Sequence, residues 1–358
     1  MLAGQHNLFY LNYSTFFSPQ PPNLGRRYIG LAPPKGFFMN HWLSPQNRLF
    51  ELARSGRRLP HLVLTVVITF VLVIVAQLAG GIPATLLIFL LSRSEAQPEQ
   101  ANTVTGLVKL LQPDTAPEQT IMLVLAFAPL FALLWGWLKF FEKRPLWSIG
   151  LERAGAAVKY LRGLLAGLVM FGAVVAVSAA MGVIAVEPGD SRPHGLAALG
   201  GVLLVFVGWT VQGPAEEALM RGWVLPVVGA RYRPWLGVLV SALLFAGLHS
   251  LNPNLNPIAM LNLFLFGLLA AGYALVEGGL WGVFGLHAAW NWAQGNIFGL
   301  EVSGMAIPGG ALLNLQETGP DPITGGSFGP EGGLTVTGVL LLGLVVIWLW
   351  GRQQNPAG

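Results

Sequence analysis

Residues 201–230 read GVLLVFVGWTVQGPAEEALMRGWVLPVVGA. The stretch is long and apolar enough for a membrane-crossing helix, which needs about 20 such residues. Its only ionisable side chains are Glu216, Glu217 and Arg221. A charge at mid-bilayer costs about 2.5–3.5 kcal/mol on insertion scales. Several charges within one segment therefore call for polar partners or a water-filled cavity.

The rest of the chain has the same character. Of its 358 residues, 54% are hydrophobic and 10% charged, and the mean hydropathy is +0.61. A soluble domain carries about 25% charged residues. Apolar runs recur at 62–92, 120–141, 163–186, 196–228, 235–250, 258–276, 280–298 and 334–350. Lipid offers the backbone no hydrogen bonds, so these runs are expected as helices, and they lack the period-two alternation of a membrane barrel. The expected fold class is all-α, a polytopic membrane helix bundle of about eight spans. Gly80, Gly81 and Pro83 lie inside the first run, which is expected to form one kinked crossing. With no cysteine, thiol nucleophiles, disulfides and cysteine-ligated zinc are excluded.

Basic residues set the orientation. The first 61 residues hold Arg26, Arg27, Lys35, Arg48, Arg54, Arg57 and Arg58. The connection after the second run holds Lys139, Lys143, Arg144, Arg153, Lys159 and Arg162, and Arg221, Arg231 and Arg233 cluster by the turn after the fourth. An N-terminus inside puts these, with Arg352, on the cytoplasmic side and leaves Arg93, Lys109 and Arg192 outside. Both termini are therefore expected in the cytoplasm, and the protein in the cell membrane of a prokaryote. The positive balance is a topology signal, and nucleic acid is not an expected partner. Residues 1–60 are expected to be a largely irregular cytoplasmic tail, with Met39 a candidate natural start, and 61–358 the transmembrane domain. The Gly- and Pro-rich stretch 299–333 has no Lys or Arg and is expected to be a mobile, inert external connector.

Within the spans the ionisable residues reduce to Glu216, Glu217, Arg221, His249 and His287, joined by the amides Asn262 and Asn291. Glu217 and Arg221 stand at i and i+4 and share a helix face. Glu216 is turned about 100° away, so it is expected to stay free for chemistry while Arg221 holds Glu217. If the fourth and fifth runs form a hairpin at Arg231–Pro234, Glu216 lies about 16 residues before the turn and His249 about 17 after it, so both sit roughly 24 Å along their helices. His287 and Asn291 are again i and i+4, with Gly285 and Ala288 admitting a close neighbour. Phe245, one turn before His249, needs no more than a packing role.

A carboxylate and a histidine that share a water can activate it as a nucleophile. A second histidine and an amide can stabilise a developing oxyanion. That set suits hydrolysis of a peptide bond. Apolar surroundings favour protonation of an unpaired glutamate, which suits a base working near neutral pH. Glu216, His249 and His287 would also make a His₂Glu zinc set with one open position. No HExxH helix is present, so divalent-metal (zinc) and metal-free glutamate mechanisms stand as equal alternatives.

The chain resembles the CPBP intramembrane proteases, the group containing the type II CAAX prenyl proteases and bacteriocin-immunity relatives. The EExxxR motif is present as Glu216-Glu217-Ala-Leu-Met-Arg221, FxxxH as Phe245-Ala-Gly-Leu-His249, and HxxxN as His287-Ala-Ala-Trp-Asn291. Order and spacing both fit, over about residues 140–300. The resemblance implies that Glu216 activates water with help from His249. It implies that Glu217 and Arg221 hold the local helix, and that His287 and Asn291 stabilise the oxyanion. The implied partners are membrane lipid and a peptide or membrane-anchored protein substrate, including C-terminal CAAX-like peptides. Two other classes fit buried Glu and His: a proton-coupled transporter, and a non-catalytic membrane scaffold or immunity protein. The polar residues cluster in one part of the chain and no repeat relates its halves, which disfavours the transporter.

Overall fold

The computed structural model describes residues 41–95, 110–187 and 193–353. The first 40 residues of the tail, with Met39, lie outside the described residues, as do Lys109, Arg192 and the side chain of Arg93.

Helix α1 (Arg48–Arg54) lies in the segment expected to be largely irregular. Asn47 caps it by accepting from the Leu49 amide at 3.0 Å, and donates to the Leu275 carbonyl at 2.8 Å. Leu49, Phe50 and Ala53 fall on one face and are buried. That face, tied down by the Asn47 cap, orders this part of the segment.

The apolar helices follow in chain order: α2 (Leu62–Ser92), α3 (Ala116–Glu142), α4 (Ala156–Ala180), α5 (Gly195–Arg231), α6 (Pro234–Leu251) and α7 (Pro257–Glu277). After them come α8 (Trp281–Trp292), continued by a π turn at Ala293–Ile297, and α9 (Leu334–Gln353). Among the described residues, the seven other than α8 are long and apolar enough to cross a membrane. The protein is an integral membrane protein with a polytopic helical fold. Outer helices keep an apolar lipid face, such as Val158, Leu161, Leu165 and Val169 on α4. The expected kink in α2 takes the form of a π turn at Gln77–Gly81.

The run at 280–298 differs from the other spans. It is shorter and lies inside the bundle, with every residue from Gly282 to Asn291 buried. Helix α8 packs mainly on α4 and α5, while α7 packs on α6 and α9. Glycine permits the α4–α8 approach: a Cβ on Gly163 would run into the Gly282 carbonyl, and one on Gly285 into that of Tyr160. This contact fixes how α8 is rotated, and hence where His287 and Asn291 point.

The 299–333 stretch is not the inert connector expected of it. Strands β1 (Ile184–Val186) and β2 (Leu315–Glu317) pair antiparallel, with Ala185 opposite Gln316. Glu331 gathers three donors: Trp290 Nε1 at 3.2 Å, the Ser303 amide at 2.7 Å and the Ser303 hydroxyl at 2.9 Å. Asn252 Nδ2 also donates to the Ser303 carbonyl at 3.1 Å. These bonds tie the stretch to α8 and to the end of α6, as a fixed cap.

Candidate active site

The acid pair sits on α5 between two deformations. Pro214 removes an amide from the helix ladder and crowds the carbonyl four residues back. A π turn follows at Met220–Val224. Single π turns inside α-helices are frequent at functional sites. Ser241 on α6 donates to the Met220 carbonyl at 3.0 Å, holding that turn.

The two carboxylates go to different partners, as adjacent residues on a helix must. Glu217 is wholly buried, and its Oε1 accepts from Arg221 Nη1 at 2.9 Å. Its Oε1 also lies 2.8 Å from His287 Nδ1. Arg221, wholly buried too, donates through Nη2 to the Gly267 carbonyl at 3.2 Å. Its Cζ stands 4.5 Å from the Phe245 ring centre. Glu216 makes no ion pair with Arg221 among the described residues. Its Oε1 accepts from Gln212 Nε2 at 2.7 Å. Its Oε2 is buried, has no hydrogen-bond partner, and lies 3.8 Å from His287 Nε2.

A cavity of about 890 Å³ gathers Glu216, His249, His287 and Asn291. Its far wall is largely apolar, with Val73 and Ala76 from α2 and Leu123, Ala126 and Leu130 from α3, joined by the amides Gln77 and Gln119. Ser303, Met305, Ile307 and Glu331 line it from the cap. The α5–α6 hairpin thus brings Glu216 and His249 to one space. His249 Nδ1 lies 2.8 Å from the Phe245 carbonyl, which can only accept, so that nitrogen carries the proton. Nε2 is left as the acceptor of the neutral ring. By the same logic His287 Nδ1 donates to Glu217, and Nε2 is its free end. Asn291 Nδ2 donates to Gln212 Oε1 at 2.9 Å.

Phe245 does more than fill space. Its ring centre is 4.7 Å from that of His249 and 6.0 Å from that of His287, and it also carries the Arg221 cation. Asn262 does not line the cavity. It donates to the carbonyls of Glu331 and Gly333 at 2.8 and 2.9 Å, and accepts from Thr337 at 2.7 Å, which anchors the cap to α7.

The proposed zinc ligands Glu216, His249 and His287 do not close into a metal-holding set. Among the described residues no group of three or more His, Cys, Asp or Glu does so. Each still has a donor atom free, Glu216 Oε2 and the Nε2 of His249 and His287, so it is the placement of the three side chains, not the loss of their donors, that leaves the set open.

Two residues at this site had not stood out in the sequence. Gln212 lies four residues before Glu216, so its place on the same helix face was readable, but a neutral amide raises no electrostatic alarm. Glu331 is the last acid of the cap, just ahead of an apolar run, and only the folded chain brings it beside Trp290.

Residues 198–293 match the family model described as type II CAAX prenyl endopeptidase Rce1-like. This agrees with the CPBP resemblance carried by the three motifs. The chain is also 43% identical over 67 residues to an uncharacterized 24.3 kDa protein of Escherichia coli. That alignment covers 18% of this chain and 30% of the relative's length. No solved structure matches significantly.

Proposed function

We propose, taking as premise the Rce1-like character of residues 198–293, that the chain is an intramembrane endopeptidase acting on membrane-associated or C-terminal CAAX-like peptides. The observation that carries this reading is the Glu216 carboxylate. It sits in a polar pocket inside a helical bundle, with Oε2 unpartnered and facing His287 across 3.8 Å. Both termini lie in the cytoplasm on this reading, which counts α8 with its π turn as an eighth crossing beside the seven long helices, in keeping with the Lys and Arg distribution.

The chemistry follows from the donors and acceptors in place. A water held in the cavity between the Glu216 carboxylate and His249 Nε2 gives its proton to Glu216. Its oxygen adds to the scissile carbonyl carbon. The oxyanion accepts from Asn291, which retains one N–H beyond the one given to Gln212, and from His287 Nε2 when that ring carries both protons, Nδ1 being given to Glu217. The C–N bond then breaks as the proton on Glu216 passes to the leaving amine, and the carboxylate is restored. One water is consumed for each bond cut. Fixed donors in a cavity with apolar walls stabilise developing charge far better than water does.

The test uses the purified full chain in detergent with two quenched-fluorescent probes. Both end in a Cys-aliphatic-aliphatic-X sequence, and one carries a farnesyl thioether. The wild type is expected to cut at least one of them. Glu216→Gln, which preserves size and the acceptor for Gln212, should lose about 10²–10⁴-fold in kcat, the usual worth of a general base. His249→Ala should lose most activity as well. Wild-type rates in both variants would remove these roles, and a scaffold or transporter would show no cleavage to lose.

A further inference from the structure

We infer that Gln212 is the positioning residue that aims the Glu216 carboxylate, and that through it the charge on α5 dictates which end Asn291 on α8 presents to the cavity. The inference rests on the peptidase reading above.

Gln212 is buried, one turn before Glu216 on the same face of α5. A buried amide must place both its oxygen and its NH₂, since either left bare is costly. Here both ends land on residues of the site. The carboxylate can only accept, so the Gln212 NH₂ faces Glu216 Oε1, at 2.7 Å. The Gln212 oxygen is thereby turned to Asn291, at 2.9 Å from its Nδ2. An oxygen can only accept, so Asn291 has to show its NH₂ on that side. The flip state of two amides on two helices thus follows from one charge.

Two consequences matter for catalysis. Glu216 is a flexible side chain, and by fixing its Oε1 Gln212 sets the whole carboxylate, with Oε2 buried and turned toward His287 Nε2 at 3.8 Å. Asn291 is held as a donor, which is the form an oxyanion needs. Without Gln212 it could present its own oxygen instead. Two other buried amides near the site serve elsewhere: Asn262 anchors the cap, and Gln294 Nε2 donates to the Glu301 carbonyl at 2.5 Å. Neither touches the acid pair in any hydrogen bond found among the described residues.

The experiment compares wild type, Gln212→Met, Gln212→Glu and Glu216→Gln on the farnesylated and plain probes, with thermal midpoints recorded for each. A donor to a charged group is lost in Gln212→Met, so kcat should fall about 10- to 100-fold. KM should stay within about two-fold, because substrate does not touch this residue. Gln212→Glu keeps the size and the acceptor for Asn291 but loses the donor while ionised. It should be as slow at neutral pH, and its rate relative to wild type should recover on acidification as the protonated carboxyl donates again. A space-filling role predicts a ratio that does not change with pH, and that result overturns the proposal. Should Gln212→Met fail to fold, the pH profile of Gln212→Glu decides alone. Probes left uncut by the wild type, or cut normally by Glu216→Gln, bring down the peptidase reading and this proposal together. An inactive Glu216→Gln beside a Gln212→Met of unchanged kcat brings down the role of Gln212 alone.

Discussion

Arg221→Met is expected to cost this protein most of its stability, and a second substitution should return much of it. The Arg221 and Glu217 side chains are wholly buried and 2.9 Å apart. Their mutual attraction is strong in a medium of low dielectric, yet both ions gave up water to make it. The net worth of such a pair is small, whereas breaking it leaves an uncompensated charge and costs about 3–5 kcal/mol. Arg221→Met does this: Glu217 keeps only His287, and the Gly267 carbonyl loses a donor. At about 1.4 kcal/mol per factor of ten, the folded-to-unfolded ratio should drop by roughly 10²- to 4 × 10³-fold. Adding Glu217→Gln removes the stranded charge and keeps an acceptor for His287. The double variant should therefore recover more than half of the loss, a coupling of about 2–3 kcal/mol. Reversible unfolding in mixed micelles, followed by circular dichroism, measures all four corners of the cycle. A single-variant loss under about 1 kcal/mol, or a double-variant loss equal to the sum of the singles, would refute the idea of a desolvated pair.

Two further outcomes are expected at the cap. Burial, and the like charge of Glu301, raise the Glu317 carboxyl from 4.5 to about 7. Folded protein then holds a proton that the unfolded chain has lost, so this contribution is complete below pH 4.5 and disappears as pH rises through about 7. Its ceiling is about 3 kcal/mol. Hydrogen-exchange protection of 184–186 and 315–317 should fall between pH 5 and 7.5 in wild type but stay level in Glu317→Gln; an equal fall in both removes Glu317 as the cause. Separately, Glu331→Ala strands the donors of Trp290 and Ser303, at about 1–3 kcal/mol for each one left buried. Chymotrypsin should nick the cap at Met305 or Leu313 faster than in wild type, and unchanged nicking would mean the cap is held by something else.

What could be read from the sequence followed how local each cause was. The spans were legible because lipid demands long apolar runs, and the run placed at 196–228 is the helix Gly195–Arg231. The Glu217–Arg221 contact was legible because i,i+4 proximity belongs to the helix itself. The bond from His287 to Glu217 was not. It depends on the rotation of α8 about its axis, which glycines on a different pair of turns decide. The cap misled for a similar reason. Its Gly and Pro content described a chain free to move, but one carboxylate closes contacts 28 and 41 residues apart in sequence. Metal ligation was undecidable from residue types, since Glu and His serve both chemistries, and it turns on the placement of three side chains from three helices, which no local pattern sets.

The adjacent glutamates show how one helix can give two identical side chains different work. Each is held by a residue of α5 four positions away, in opposite directions: Gln212 for Glu216 and Arg221 for Glu217. The donors differ in charge. A cation neutralises its carboxylate as well as orienting it, so Glu217 becomes a fixed acceptor that sets His287. A neutral amide orients its carboxylate without countering the charge, which is the arrangement the proposed water activation by Glu216 calls for. The division of labour therefore lies in the choice of donor, Gln against Arg, more than in any difference in burial between the two acids. Exchanging glutamates for aspartates would shorten both arms alike; exchanging the donors would reverse which acid faces water with its charge intact.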